Sequence, residues 1–285
     1  MINGTRHRLQ AEIARQTRLG EDIARLQTQI SGGVRILRPS DDPGAAAQVA
    51  EIARNQADEA TWSANIKTAV ALSDRADTTL TSLTAIVARA NELMVRAAND
   101  VLSDENRATV AIELRSIADE IVSLSAARDA RGEALFADGA PLAIPVGAGL
   151  AVAPVASRQA VFDQVAVGAG TQSLEAIVAA AAAAITTADP AARRAAIDAS
   201  LTATEAAATH VATVRGQQGV RAGRLDNLGE SLAASKLQIA EERGELEGTD
   251  ITEAVASLES KRLSLTAAQA VFARLNQTGL FDLLR

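Results

Sequence analysis

The chain has 285 residues, 48% of them hydrophobic but only 2% aromatic, and a formal net charge of −7. An apolar supply of Ala, Leu, Val and Ile suits slender, closely packed helices better than a globular core built on large rings. The acidic balance and the lack of a dense basic tract argue against nucleic acid or anionic lipid as partner, and the absence of cysteine excludes disulfides and thiolate metal sites.

The first ten residues are polar and basic and hold no apolar leader core. The most apolar run, Ala176–Ile185, is mostly Ala and far short of the ~20 residues that span a bilayer. Read alone, this predicts a cytoplasmic protein with no membrane insertion.

From Thr5 to Ile30, Leu19, Ile23, Leu26 and Ile30 step by heptad spacing, with Leu9 and Ile13 ahead of them. Gln16 and Gly20 weaken this stripe, and Gly32 and Gly33 end it. So narrow a stripe buries little, and a lone helix of this length is marginal in water, so it needs a partner helix. A connector follows, with Arg35, Arg38, Pro39, Ser40 and Asp41; Asp42 and Pro43 read as N-cap and first helical residue. Asp41 and Asp42 form no metal or acid–base site, since no His or third acid stands near them in the sequence.

Gly44 to about Ala98 reads as one long helix of roughly 80 Å, with Ile66, Val70, Leu80, Leu83, Val87, Ala90 and Met94 near one stripe. Ser103 caps the next helix, where Val110, Leu114, Ile117, Ile121 and Leu124 predict an antiparallel hairpin with the long one. Residues 132–172 turn β-rich, with strands expected over Leu142–Val146, Leu150–Val155 and Ala160–Val167. Gly147-Ala-Gly149 and Gly168-Ala-Gly170 lack the third glycine of a dinucleotide loop, so no cofactor is expected.

Ser173 to Thr186 is an Ala-rich helix. Asp189-Pro190 starts another that runs to about Glu247, with a break expected near Gly216 and Gly219 and with Leu225, Leu228, Leu232, Ile239 and Leu246 in heptad register. After Gly248, Asp250 and Glu253 form a capping box, and Ile251, Val255, Leu258, Leu265, Phe272 and Leu275 form the last stripe, with Arg262 and Gln269 as polar interruptions.

The fold class that follows is mainly α: a long-helix rod with antiparallel coiled-coil terminal helices and a small β-rich central region. Its parts are a terminal helix with connector (1–43), rod helices (44–131), the β-rich region (132–172), further rod helices (173–247) and a second terminal helix (248–285). The thin terminal seams are expected to be mobile in a monomer and to order against other subunits.

Four stretches, in order, resemble the flagellin superfamily. They are Ser31-Gly32-Gly33-Val34-Arg35-Ile36 with Arg38-Pro39-Ser40-Asp41-Asp42-Pro43; Ala97-Ala98-Asn99 with Arg107, Glu113, Ile117 and Gly132-Glu133-Ala134-Leu135-Phe136-Ala137-Asp138-Gly139; Val214-Arg215 to Gly219 with Arg221, Arg224 and Leu225; and Thr249-Asp250-Ile251-Thr252-Glu253-Ala254-Val255. The two prolines of the connector are more similar to the hook–filament junction family than to flagellin proper, although Ala134 stands where that family commonly has Tyr. In the tail, Leu280-Phe281-Asp282 resembles the junction family and Leu283-Leu284-Arg285 resembles flagellin.

The resemblance implies a structural subunit of the bacterial flagellum, an adaptor layer between hook and filament, exported through the type III channel without a cleaved signal and extracellular once assembled. It overrides the cytoplasmic reading. The implied partners are further copies of the chain in a ring or helical layer, the neighbouring hook-associated protein, flagellin and a flagellar export chaperone. The implied assembly interface is Leu9, Ile13, Leu19, Ile23, Leu26 and Ile30 with Ile251, Val255, Leu258, Leu265, Phe272 and Leu275. A short flagellin that forms the filament itself is the alternative, and a soluble coiled-coil scaffold is the contrast from another class. No enzyme is expected: His7 and His210, far apart in sequence, are the only histidines, and no catalytic, cofactor-binding or metal-ligating residue is assigned.

Overall fold

The computed structural model describes residues 2–99 and 102–281, with side chains described at residues 7, 9–99 and 102–274. The elements are α1 (Ile2–Gly32), α2 (Pro43–Ala97), α3 (Asp104–Ser125), β1 (Ile144–Gly147), β2 (Leu150–Val152), one π-helical turn (Gln159–Asp163), β3 (Val165–Val167), β4 (Gly170–Gln172), α4 (Leu174–Ile185), α5 (Pro190–Glu247) and α6 (Ile251–Phe281). The protein is therefore mainly α with a small β region. It divides into two compact units: Met1–Ala57 with Ser235–Arg285, and Asp58–Ala234.

The helix starts follow from side-chain chemistry. Asp42, Ser103, Ser173, Asp189 and Asp250 each accept a hydrogen bond from the amide three residues on, at 3.1, 3.3, 3.1, 2.7 and 3.1 Å. Each satisfies one of the amides that a helix start leaves without a partner. Asp250 also takes the Thr252 amide at 2.9 Å.

In the larger unit, α2 presents a three–four series that runs from Ile66 through Ala69, Ser73, Ala76, Leu80, Leu83, Val87, Ala90 and Met94 to Ala97, all of it buried. From Ala76 onward it shares one core with Val110, Leu114, Ile117 and Ile121 of α3, with α4, and with Ala207, Val211 and Val214 of α5, whereas Ile66 and Ala69 pack in a second cluster with Ile144, Val146, Val152 and Leu225. Arg89 and Glu113 tie α2 to α3 at 2.6 Å on the rim. Inside, the Gln218 amide donates to Ser73 Oγ and to the Pro154 carbonyl, both at 2.9 Å, so one side chain joins α5, α2 and the β region.

Two elements depart from the pattern expected of the sequence. Helix α5 runs unbroken through Gly216 and Gly219. Both glycines lie on its exposed side, and the buried neighbours Val214, Gln218 and Leu225 hold the helix against their poor propensity. The expected strand over Ala160–Val167 begins instead as the π-helical turn, because Val161 and Phe162 are buried. Phe162 meets Phe136 edge-to-face with centroids 5.3 Å apart, and His210 Nε2 lies 3.1 Å from the Val161 carbonyl.

The two Gly-Ala-Gly stretches are turns of hairpins β1–β2 and β3–β4. Gly149 has φ +68°, next to a register irregularity between Pro145 and Gly147, and Gly168 has φ +59° at the first turn position. Glycine meets these positive φ values at no steric cost, so the glycines serve the turns. No helix among the described residues is long and apolar enough to cross a membrane.

Candidate assembly interface

The smaller unit pairs α1 with α6 as an antiparallel hairpin. Val34 and Gly248 form an antiparallel bridge, the Arg35 amide donates to the Glu247 carbonyl at 2.6 Å, and the Thr249 amide donates to the Gly33 carbonyl at 3.1 Å. Both chains break at this level: Gly33 has φ +67°, and a Cβ on Gly248 would stand 2.5 Å from the Gly244 carbonyl oxygen. Neither position accepts a side chain freely.

The connector is built on Arg35. Its guanidinium donates to Asp42 Oδ2 at 3.1 Å and to the Leu246 carbonyl at 3.2 Å, and its own carbonyl accepts Gln29 Nε2 at 2.6 Å. Asp41 accepts the amides of Leu37 and Arg38 at 3.1 and 2.8 Å. The hydrogen bond from the Ala45 amide, then that from Arg35, holds the Asp42 carboxyl below the usual carboxylate range. Asp41 and Asp42 are thus occupied in backbone and guanidinium bonds, while Arg38, Pro39 and Ser40 lie exposed in the turn and Pro43 opens α2. At the end of α5, Arg243 bonds Glu247 at 2.9 Å and Gln56 of α2 at 3.0 Å.

Along the hairpin, α6 turns Ala254, Leu258, Lys261, Leu265, Ala268 and Phe272 inward in steps of four and three. The intervening seam positions are therefore Lys261 and Ala268, and Arg262 and Gln269 are exposed. Leu19, Ile23, Leu26 and Ile30 of α1 are half-buried, and Leu9 and Ile13 flank that face with 39% and 50% exposure. Ile251 and Val255 also stand off the inner face, at 47% and 42%. Leu275 lies on α6 but its side chain is outside the described ones, as are residues 282–285 of the tail.

Three features set this hairpin apart from the larger unit. No described side chain of α1 is fully buried, and on α6 only Ala254 and Leu258 are. Gln16 Nε2, on the inner face, is shut from solvent without a hydrogen-bond partner, a costly state. Helix α6 also carries a second apolar face: Leu263 is 73% exposed and Val271 57%, with Ala256, Ala267 and Ala270 exposed beside them.

A polar pair crosses the seam: Lys261 Nζ lies 2.6 Å from Asp22 Oδ2. That hydrogen bond, more than the Lys261 and Arg25 charges, holds the Asp22 carboxyl below the usual range against the effect of partial burial. Sequence reasoning placed Arg35 in the connector without giving it a role, and missed Asp22, Lys261 and Arg243. A search for opposite charges flanking both heptad stripes would have found Asp22 and Lys261.

Residues 8–140 match the model of the bacterial flagellin N-terminal helical region, and residues 201–284 that of the bacterial flagellin C-terminal helical region. The chain belongs to the flagellin family. Over 113 residues, this flagellin-family chain is 33% identical to flagellar hook-associated protein 3 of Salmonella typhimurium, a match covering 40% of this chain and 36% of that protein. Over 109 residues it is 31% identical to the protein of the same name from Escherichia coli, covering 38% and 34%. The chain thus spans about a third of the length of the curated relatives it matches.

Among solved structures, a putative flagellar hook-associated protein of Vibrio parahaemolyticus superposes with a TM-score of 0.66 at 22% identity, over 73% of this chain and 100% of that one. Flagellar hook-associated protein 3 of Legionella pneumophila gives 0.64 at 12% identity, over 70% and 98%. The flagellar junction protein of the same organism gives 0.56 at 14%, over 71% and 100%. The flagellin-family chain has the fold of these proteins.

Proposed function

We propose that the chain is a structural subunit of the bacterial flagellum that forms an adaptor layer between hook and filament, assembled by folding of its terminal helices against neighbouring subunits. The observation that carries this reading is the hairpin α1–α6, whose inner face is only half-covered while α6 shows a second apolar face. Burial of such side chains returns roughly 25 cal/mol per Å², and the ordering entropy of the helices offsets part of it. The likeness to hook-associated proteins supports the adaptor role.

In this reading Leu19, Ile23, Leu26 and Ile30 with Leu258, Leu265 and Phe272 form the seam, and copies of the chain, the neighbouring hook-associated protein and flagellin are its neighbours. An export chaperone of the flagellar type III system holds the terminal helices before export, and the assembled subunit is extracellular. A short flagellin that builds the filament itself is the second reading, favoured by the match of both terminal regions to flagellin models.

Electron microscopy of a deletion strain, with a blot of the medium for flagellin, tests both. Bare hooks with flagellin shed into the medium support the adaptor. Bare hooks without external flagellin make the chain the filament protein, and unchanged motile flagella sink both readings.

A further inference from the structure

The inner face of the hairpin is a repeating pattern, and a repeating pattern has a register problem. Leu19, Ile23, Leu26 and Ile30 recur by heptads, as do Leu258, Leu265 and Phe272, so a shift by seven residues keeps apolar side chains facing one another. The pairings Asp22–Lys261 and Val34–Gly248 define the observed register, which brings Leu19 level with Leu265 and Leu26 level with Leu258.

Within this pattern Lys261 is singular. It is the one cation on the inner face of α6 among the described residues, and it occupies a place where Ala254 and Ala268 stand one heptad away. A slip of seven residues in one direction sets Lys261 level with Arg15, a like charge, and a slip in the other sets it level with Gln29. In both, Asp22 faces an alanine: Ala268 or Ala254. The second slip also takes Gln29 from the Arg35 carbonyl it holds at 2.6 Å. The pair is about two-thirds shielded from solvent, with side-chain exposures of 29% and 32%; a slip leaves the Lys261 ammonium without its carboxylate, while Asp22 keeps only the Arg25 guanidinium of its own helix at 2.6 Å.

We propose that Asp22 and Lys261 are the register-specifying pair of the terminal hairpin: they select the one heptad alignment of α1 on α6, and they discriminate against shifted pairings, including those with α6 of a second copy in a crowded assembly. A single polar pair that costs stability but fixes alignment is a known use of charge in coiled helices. The proposal concerns pairing within this chain and stands whether or not the adaptor role does.

The backbone bonds around Val34 and Gly248 also favour this alignment at the base, so the test must separate the two. The chain has no cysteine, so introduced ones report register without background. Leu19→Cys is combined in the full chain with Leu258→Cys, Leu265→Cys or Phe272→Cys, and disulfide yields are compared on non-reducing gels, with dilution to separate intrachain from interchain products. The 19–265 product is expected to exceed the other two by about tenfold, the scale of a partly shielded ion pair plus lost end contacts. Arg35→Ala, which weakens the base, should retain that preference, and adding Asp22→Asn should reduce it to about twofold. Exchanging the charges with Asp22→Lys and Lys261→Asp, together with Arg25→Gln to remove the like charge one turn away, should restore it. An unchanged 19–265 preference in the Arg35→Ala, Asp22→Asn variant, or its loss in Arg35→Ala alone, would overturn the proposal and assign register to the base.

Discussion

At the residue scale, several side chains do local work that fixes where elements begin and turn. Asp129 is the clearest: it accepts the amides of Arg131 and Glu133 at 2.8 and 2.9 Å and the Arg131 guanidinium at 3.1 Å, closing the loop around Gly132, whose φ is +86°. Burial pushes its carboxyl up, but the amides of Arg131 and Glu133 and the Arg131 side chain outweigh it and hold it below the usual range. A depressed folded-state pKa means the stabilisation is complete above the unfolded carboxylate value and is lost as pH falls through the folded one. Asp129→Asn should therefore lower Tm at neutral pH and flatten the fall of Tm between about pH 5 and 2, followed by circular dichroism; an unaltered acid limb would dismiss the loop as a stabilising feature. The glycines of α5 lead the other way. A Cβ at Gly216 or Gly219 meets nothing within 4 Å, and both lie in ordinary helical backbone. Gly219→Ala should stabilise the free chain by about 0.5–1 kcal/mol in urea unfolding, the usual helix-interior gain. A loss would reveal an approach by another segment that the glycine accommodates.

At the element scale, the two faces of α6 separate what holds the hairpin from what is left for a neighbour. Leu258 is 9% exposed and Leu263 is 73% exposed. Leu258→Ala should cost the hairpin about 2 kcal/mol and reduce its helicity, whereas Leu263→Glu should change monomer stability by less than about 0.5 kcal/mol yet block incorporation into flagella. Incorporation of Leu263→Glu at the normal level would remove the outer face from the interface. The helix starts and the hairpin stripes were legible in the sequence because each rests on nearest-neighbour chemistry: Asp42, Ser103, Ser173, Asp189 and Asp250 cap within three residues. What was not legible depended on tertiary packing. Burial of Phe162 against Phe136 turned an expected strand into a π-helical turn, the core carried α5 across two glycines, and Lys261 took an inner position that periodicity alone gave to apolar residues. Ile251 and Val255 read as seam because they are apolar and well spaced, but the inner face is set by the helix opposite, which Ala254 and Leu258 meet instead.

At the scale of the whole molecule, the two units differ in how much of themselves they bury. The larger has two clusters of buried side chains drawn from four helices and the β region, whereas the paired terminal helices bury two side chains between them among those described. Hydrogen exchange on the free chain should therefore show amides of α1 and α6 exchanging at least about tenfold faster than those of α3 and α4, and slowing in isolated flagella. Equal protection in the monomer would mean the hairpin is complete without neighbours. The same hairpin also has a place in time. Asp22 and Lys261 lie 239 residues apart in the chain, whereas the β-hairpins close across two-residue turns and α3 meets α4 after an intervening stretch of under fifty residues. Loop-closure entropy rises with separation, so the local pairs form first and the union of the two ends comes last. A chain that emerges from one end in order, through any narrow exit, can thus mature its larger unit while α1 waits unpaired for the final helix. In the proposed role, that closing step of folding is also the moment at which the hairpin can meet a neighbouring subunit.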